Sequence, residues 1–250
     1  MSMKSQKLLS LFAATAAALA IASGASAQNT TPDKPAKEAP AKQPEKDHGK
    51  GEKADKGEKA DKGAKTAGGV EPGQPAPAFT LKDTDGKETT LAEHVKAGKI
   101  VVLQWFNPEC PFVVKHYKET KTFNNLAATY GPKGVVFLAI NSGAPGEQGA
   151  GVKANAEAKK SWAIPYPVLI DEAGTVGRAY GAKNTPTMVV IGKDGNVAYF
   201  GAIDDDSGAA KPGKTNYVAK ALDELLAGSN VTTPKTKPYG CAVKYGKSKG

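Results

Sequence analysis

Ile100-Val101-Val102-Leu103-Gln104-Trp105-Phe106-Asn107-Pro108-Glu109-Cys110-Pro111-Phe112-Val113 is the stretch that decides the fold. The near-continuous apolar run from Ile100 to Phe106 has the composition of a strand buried on both faces. Pro111 suits the first position of a helix, where its missing N–H would be unpaired anyway. The stretch therefore reads as a strand that delivers a thiol, Cys110, to a helix start. The spacing predicts a helix from Pro111 to Tyr130. Val113, Tyr117, Phe123, Ala127 and Tyr130 lie on its apolar side, and Gly131-Pro132 stops it.

Elements alternate on both sides of that stretch. Upstream, Ala78–Lys82 and Glu88–Leu91 flank the turn Asp83-Thr84-Asp85-Gly86 and predict a short hairpin. Downstream come a strand at Val135–Ile140, a glycine-rich loop at Asn141–Gly151 and a helix at Val152–Trp162. A strand at Pro167–Ile170 and a short helix at Gly174–Tyr180 follow. Thr187–Ile191 and Val197–Phe200 form a hairpin around Lys193-Asp194-Gly195-Asn196. A helix at Asn216–Ala227 ends at Gly228. The order βαβα, then ββα, implies an α/β domain with a mixed sheet between helices.

The chain has 250 residues and two cysteines, Cys110 and Cys241. Residues 1–27 have the form of a cleavable export signal: Lys4 and Lys7, an apolar stretch from Leu8 to Ile21, then Ala25-Ser26-Ala27. The stretch is short against the roughly 20 residues that a membrane span needs. A periplasmic or secreted location is expected, where disulfides persist. The one intramolecular bridge that two cysteines allow is Cys110–Cys241. Residues 28–69 are rich in Lys, Glu, Asp, Ala, Pro and Gly, with Gly51–Lys56 repeated as Gly57–Lys62. They cannot bury enough apolar surface to offset their ordering entropy, so a disordered tether is expected. Residues 70–228 are expected to form the domain, and residues 229–250 a C-terminal tail that carries Cys241.

The net charge is +9, and Arg178 is the only arginine. No arginine-rich or aromatic-basic pattern points to nucleic acid. Lysines of the tether are candidates for association with anionic envelope polymers.

At a helix N-cap, the Cys110 sulfur would face free backbone N–H groups and the positive end of the helix dipole. Both favour the thiolate, which is the nucleophile. Lys115 is a candidate source of further positive charge. Cys241, on a Pro/Gly-rich tail, is expected to be mobile and of ordinary reactivity. Three readings of it stay open: a resolving thiol for Cys110, half of a permanent staple, or a link to another chain.

The element order resembles the thioredoxin-like superfamily, over nearly all of Gly69 to Ala227. Gly73-Gln74-Pro75-Ala76-Pro77-Ala78-Phe79-Thr80-Leu81 is similar to the opening segment of peroxiredoxins (the alkyl hydroperoxide reductase/thiol-specific antioxidant branch) and of related envelope thiol oxidoreductases. Val168–Gly174 and Ala179-Tyr180-Gly181 resemble their second half. Thr185-Pro186-Thr187 resembles the cis-proline loop that faces the active site. The resemblance implies a three-layer α/β/α fold with a mixed central sheet and thiol-dependent oxidoreduction. The substrate would be a peroxide or a protein disulfide, with a separate thiol reductant. Site residues would be Cys110, Cys241, Pro186, which lines the substrate-facing wall, and Asn107.

This chain departs from the family pattern at two places. Val113 replaces the second thiol of a Cys-x-x-Cys motif, so no local dithiol exists. Asn107 stands where peroxiredoxins carry Thr or Ser, and Thr185-Pro186 stands where they supply an arginine. Asn107 reads either as a hydrogen-bond donor beside Cys110 or as a turn residue. The rival class is a non-catalytic binding or structural domain locked by a Cys110–Cys241 staple.

No cofactor is expected. His48, His94 and His116 form no ligand-spacing cluster, so no metal site is expected. Asp204-Asp205-Asp206-Ser207-Gly208 resembles a calcium-loop fragment without its closing glutamate and reads as an acidic surface loop. Trp105 and Trp162 read as packing residues.

Overall fold

A computed structural model describes residues 69–247. The expected signal and nearly all of the expected tether lie outside the described residues.

β1 (Thr80–Asp83) and β2 (Glu88–Thr90) form the hairpin, and α1 (Leu91–Lys96) follows directly. β3 (Ile100–Trp105) and β4 (Val135–Asn141) pair in parallel, as do β4 and β5 (Val168–Ile170), which α4 (Val152–Ser161) connects. β7 (Met188–Ile191) lies antiparallel to β3, and β8 (Val197–Gly201) antiparallel to β7. The sheet order is β2-β1-β5-β4-β3-β7-β8. All six residues of β3 are buried, because strands cover both its edges and helices cover both its faces.

Alternation along β3 splits the core in two. Ile100 and Val102 point to one face, where they meet Phe123 and Leu126 of α3 (Thr122–Tyr130) and Val218 and Leu222 of α6 (Tyr217–Leu226). Val101, Leu103 and Trp105 point to the other, toward Leu91 of α1 and Val176 and Tyr180 of α5 (Thr175–Tyr180). The result is a three-layer α/β/α arrangement. Asn216 caps α6, its side chain accepting from Ala219 N–H at 2.8 Å. Trp105 is buried, and its indole N–H donates to Ser142.

The single helix expected over Pro111–Tyr130 is interrupted. α2 (Pro111–Val114) runs into a π-helical turn at Lys115–Glu119, and Lys121 breaks the path with φ +52° before α3 begins. Thr120 N–H donates to the carbonyl of Lys115, five residues back. The wider turn brings three successive side chains inward, so Lys115, His116 and Tyr117 are all buried. An ordinary helical pitch would send at least one of them to solvent. Such π-turns recur at functional sites. Among the described residues no helix is long and apolar enough to cross a membrane.

Candidate functional site

The site is assembled at the C-terminal end of β3. Phe106 N–H donates to Ile140 O, which holds the chain against β4 past the last strand residue. A turn follows, with Cys110 N–H donating to Asn107 O at 3.1 Å. The Asn107 side chain closes it: its Oδ1 accepts from Glu109 N–H at 2.8 Å and its Nδ2 donates to Gln148 O at 3.0 Å. Asn107 is thus a turn residue, and both ends of its amide are occupied.

Cys110 occupies the N-cap position of α2 with extended backbone, and Pro111 is the first helical residue. The expected sulfur cap is absent. The Cys110 thiol instead donates to the carbonyl of Thr185 at 3.0 Å, a bond that only the protonated sulfur makes. Lys115 does not supply the expected charge at this sulfur. Its ammonium donates to the carbonyls of Asp206 and Gly208, at 3.1 and 2.7 Å.

Thr185 connects the two thiols. The Thr185–Pro186 peptide bond is cis. β6 (Asn184–Thr185) pairs antiparallel with β9 (Cys241–Ala242), with Thr185 opposite Cys241. The tail is not loose at this point. Asn184 Nδ2 donates to Gly240 O, and Val243 N–H donates to Lys183 O at 3.0 Å. Gly240 has φ +108°, and a Cβ there would overlap the Thr185 carbonyl. Tyr239 and Tyr245 anchor the tail on either side of Cys241. Tyr245 OH donates to Ala182 O at 2.6 Å, and the Arg178 guanidinium stacks on its ring.

The Cys110 thiol reaches the Thr185 carbonyl and Thr185 is paired with Cys241, so the two cysteines are neighbours, and both are free thiols. Cys110 is 2% exposed, whereas Cys241 is partly exposed. Burial first, then the hydrogen bond and charge of Cys110, push the Cys241 thiol well above its ordinary range. Cys241 is therefore neither mobile nor ordinary, contrary to the sequence expectation. Near neutral pH it should alkylate at least about tenfold more slowly than an unperturbed cysteine. Cys110→Ser should raise its rate, because part of the shift comes from the Cys110 sulfur. Time courses of iodoacetamide labelling followed by mass would show this; a Cys241 rate equal to that of free cysteine would contradict the docked geometry.

Sequence reasoning missed a buried polar cluster beneath the tail. Asp204 lies inside the fold, not on an acidic surface, at 3% exposure. It accepts from Tyr239 OH at 2.6 Å and from Gly213 N–H at 2.7 Å. The fully buried His116 places Nε2 at 2.9 Å from the same Tyr239 oxygen. The available signal was weak: a histidine and a lysine on the Cys110 helix, and an aspartate at the start of an acidic run.

A fold of this architecture, with a thiol at the β3–α2 junction facing a cis-proline loop, defines a thioredoxin-like protein. The comparisons sharpen that class. The AhpC/TSA family model matches residues 72–200, and the chain belongs to that family. It is similar to the thiol-disulfide oxidoreductase ResA of Geobacillus thermodenitrificans, with 34% identity over 129 residues, which are 51% of this chain and 67% of that protein. Among solved structures it resembles an uncharacterized conserved protein of Geobacillus kaustophilus (32% identity, TM-score 0.62, 71% of this chain and 94% of that one). It also resembles a hypothetical protein of Sinorhizobium meliloti (28% identity, TM-score 0.61, 72% and 97%).

Proposed function

We propose that this protein is a thiol-disulfide oxidoreductase whose working pair is Cys110 and Cys241. The observation that carries the reading is the Thr185–Cys241 register, which sets a thiol remote in sequence beside Cys110. The likeness to proteins named for thiol-disulfide exchange supports it. In the reducing direction the Cys110 sulfur attacks a substrate disulfide. One S–S bond breaks, a mixed disulfide forms, and the first substrate thiol leaves. The Cys241 sulfur then attacks the Cys110 sulfur and releases the second. The substrate gains two electrons, and the pair is left as a disulfide that an external thiol reductant reopens. With an oxidised pair the same steps run backwards and oxidise a substrate dithiol.

A protein disulfide is favoured over a peroxide as substrate. Both polar ends of Asn107 are committed to the turn, and Arg178 donates to the carbonyls of Ala173 and Gly246. Neither is free to hold a peroxide oxygen at Cys110. Pro186 forms the wall beside the pair. The apolar Leu8–Ile21 stretch and the Ala25-Ser26-Ala27 site support export, with residues 28–69 as a tether and residues 70–228 as the domain.

Equilibration with glutathione buffers tests the reading. A potential in the range of catalytic dithiols, roughly −120 to −270 mV, is expected; a value below about −300 mV would mark a structural staple. Cys241→Ser should accumulate a mixed disulfide with a disulfide substrate, and Cys110→Ser should not. Catalytic turnover of hydrogen peroxide by the wild type would instead favour the peroxidase reading.

A further inference from the structure

We propose that Tyr239 is a positioning residue for the thiol pair, a latch that holds the tail closed over Cys110 and sets Cys241 against it. The proposal rests on the reading of Cys110 and Cys241 as a working pair. Cys110 is buried in a core cluster against which Tyr239 and Cys241 are packed. The tail that presents one thiol is thus the cover that keeps outside molecules from the other.

The latch is built from three elements distant in sequence. The Tyr239 hydroxyl donates to Asp204 Oδ1 at 2.6 Å, so it accepts from His116 Nε2–H at 2.9 Å. That fixes the imidazole tautomer: Nδ1 is left to accept from Thr122 Oγ1 at 3.3 Å. The ring is held by Phe112, with centroids 6.0 Å apart, and by the Lys115 ammonium 5.2 Å from its centre. A hydroxyl bonded to a buried carboxylate is one of the stronger neutral-to-charged contacts, and leaving that carboxylate short of a donor is costly. Two residues on, Cys241 inherits the position that this bond fixes.

The latch has two linked consequences. In the reduced protein an outside disulfide reaches Cys110 only in the fraction of molecules whose tail has opened. The docked tail also gives Cys241 a high effective concentration at Cys110, which stabilises the bridge. Weakening the latch therefore exposes Cys110 and makes the pair more oxidising.

Tyr239→Phe keeps the ring and removes only the hydroxyl. Pulsed iodoacetamide labelling of the reduced variant should modify Cys110 at least about tenfold faster than in the wild type. A tenfold loss of effective concentration raises the two-electron potential by about 30 mV, readable in glutathione buffers. Asp204→Asn, a weaker acceptor for the same hydroxyl, should shift both readouts the same way but less. Tyr130→Phe is the control for general destabilisation. It removes a hydroxyl bonded to Asp223, away from the thiols, and should change neither readout. Wild-type values of both quantities in Tyr239→Phe would overturn the latch while leaving the working pair intact. A wild-type pair as resistant to glutathione as a structural disulfide would overturn the pair itself. Equal shifts in Tyr130→Phe would show that Tyr239 acts only through overall stability.

Discussion

Gly240→Ala should separate the two thiols. Gly240 has φ +108°, a backbone region that side chains other than hydrogen rarely enter. Its ideal Cβ would overlap the Thr185 carbonyl oxygen and lie 2.9 Å from the carbonyl carbon. These are backbone atoms of the cis-proline loop, so no side-chain rotation relieves the clash. Either the residue changes conformation or β9 leaves β6, and both remove Cys241 from Cys110. Strain and overlap together should cost roughly 3 kcal/mol of docking energy. At 1.36 kcal/mol per decade that is about a hundredfold in the open fraction. Labelling of Cys110 should accelerate by about that factor, and bridge formation under a mild oxidant should slow correspondingly. Gly228→Ala is the matched control. Gly228 also has positive φ, but nothing lies within 4 Å of its Cβ position. It should lose some stability at the end of α6 and leave Cys110 protected. Wild-type protection of Cys110 in Gly240→Ala would mean that the tail docks by contacts other than the Thr185 register.

The legible parts of this protein are those whose signal is local. Ile100–Trp105 announces a buried strand because every residue in it but Gln104 is apolar. Asn216 and Gly228 mark the ends of α6 by capping chemistry that needs no tertiary context. The places of Cys110 at a helix start and of Pro186 in a cis-proline loop were legible because each sits in a short pattern at a junction. The misreadings share one cause, a tail that packs back on the domain. A segment rich in Pro, Gly and Lys looks mobile, yet Tyr239 and Tyr245 pin it at two points. Cys241 changes with it, from a thiol expected to be mobile to a partly buried one held opposite Thr185. The π-turn at Lys115–Glu119 escaped notice because Val113, Tyr117 and Phe123 fit a regular helix. The buried side chains of Lys115 and His116, which need the Asp204 loop and Tyr239 as partners, require the wider turn. No window of sequence contains both halves of that arrangement.

His116 should make the folded protein sensitive to mild acid, and the sign follows from its burial. Desolvation holds the imidazole down from 6.5 to about 4; Lys115 adds to the effect, while Asp204 and Asp206 oppose it. Between those two pH values the unfolded chain binds a proton that the folded one refuses. Stability is thus complete above about pH 6.5 and falls as pH drops toward 4, by up to about 3 kcal/mol if His116 acts alone. The neutral imidazole supplies one hydrogen bond to Tyr239 and accepts another from Thr122. Protonation turns Nδ1 from acceptor to donor, so the Thr122 hydroxyl has to reorient to accept from it. The exposed carboxyls of Asp205 and Glu224 are held below their ordinary values by hydrogen bonds from Thr215 and Thr232, so they titrate at the acid end of this window or beyond it. Urea midpoints measured at pH 7, 6, 5 and 4 should fall progressively for the wild type. His116→Gln should start lower at pH 7, because its amide replaces the imidazole imperfectly, but its midpoint should be much flatter over the same range. An equally steep profile in His116→Gln would assign the acid sensitivity to carboxylates. Because His116 touches the residue that fixes Cys241, the steep limb should coincide with faster labelling of Cys110 once the measured rates are corrected for the thiolate fraction at each pH.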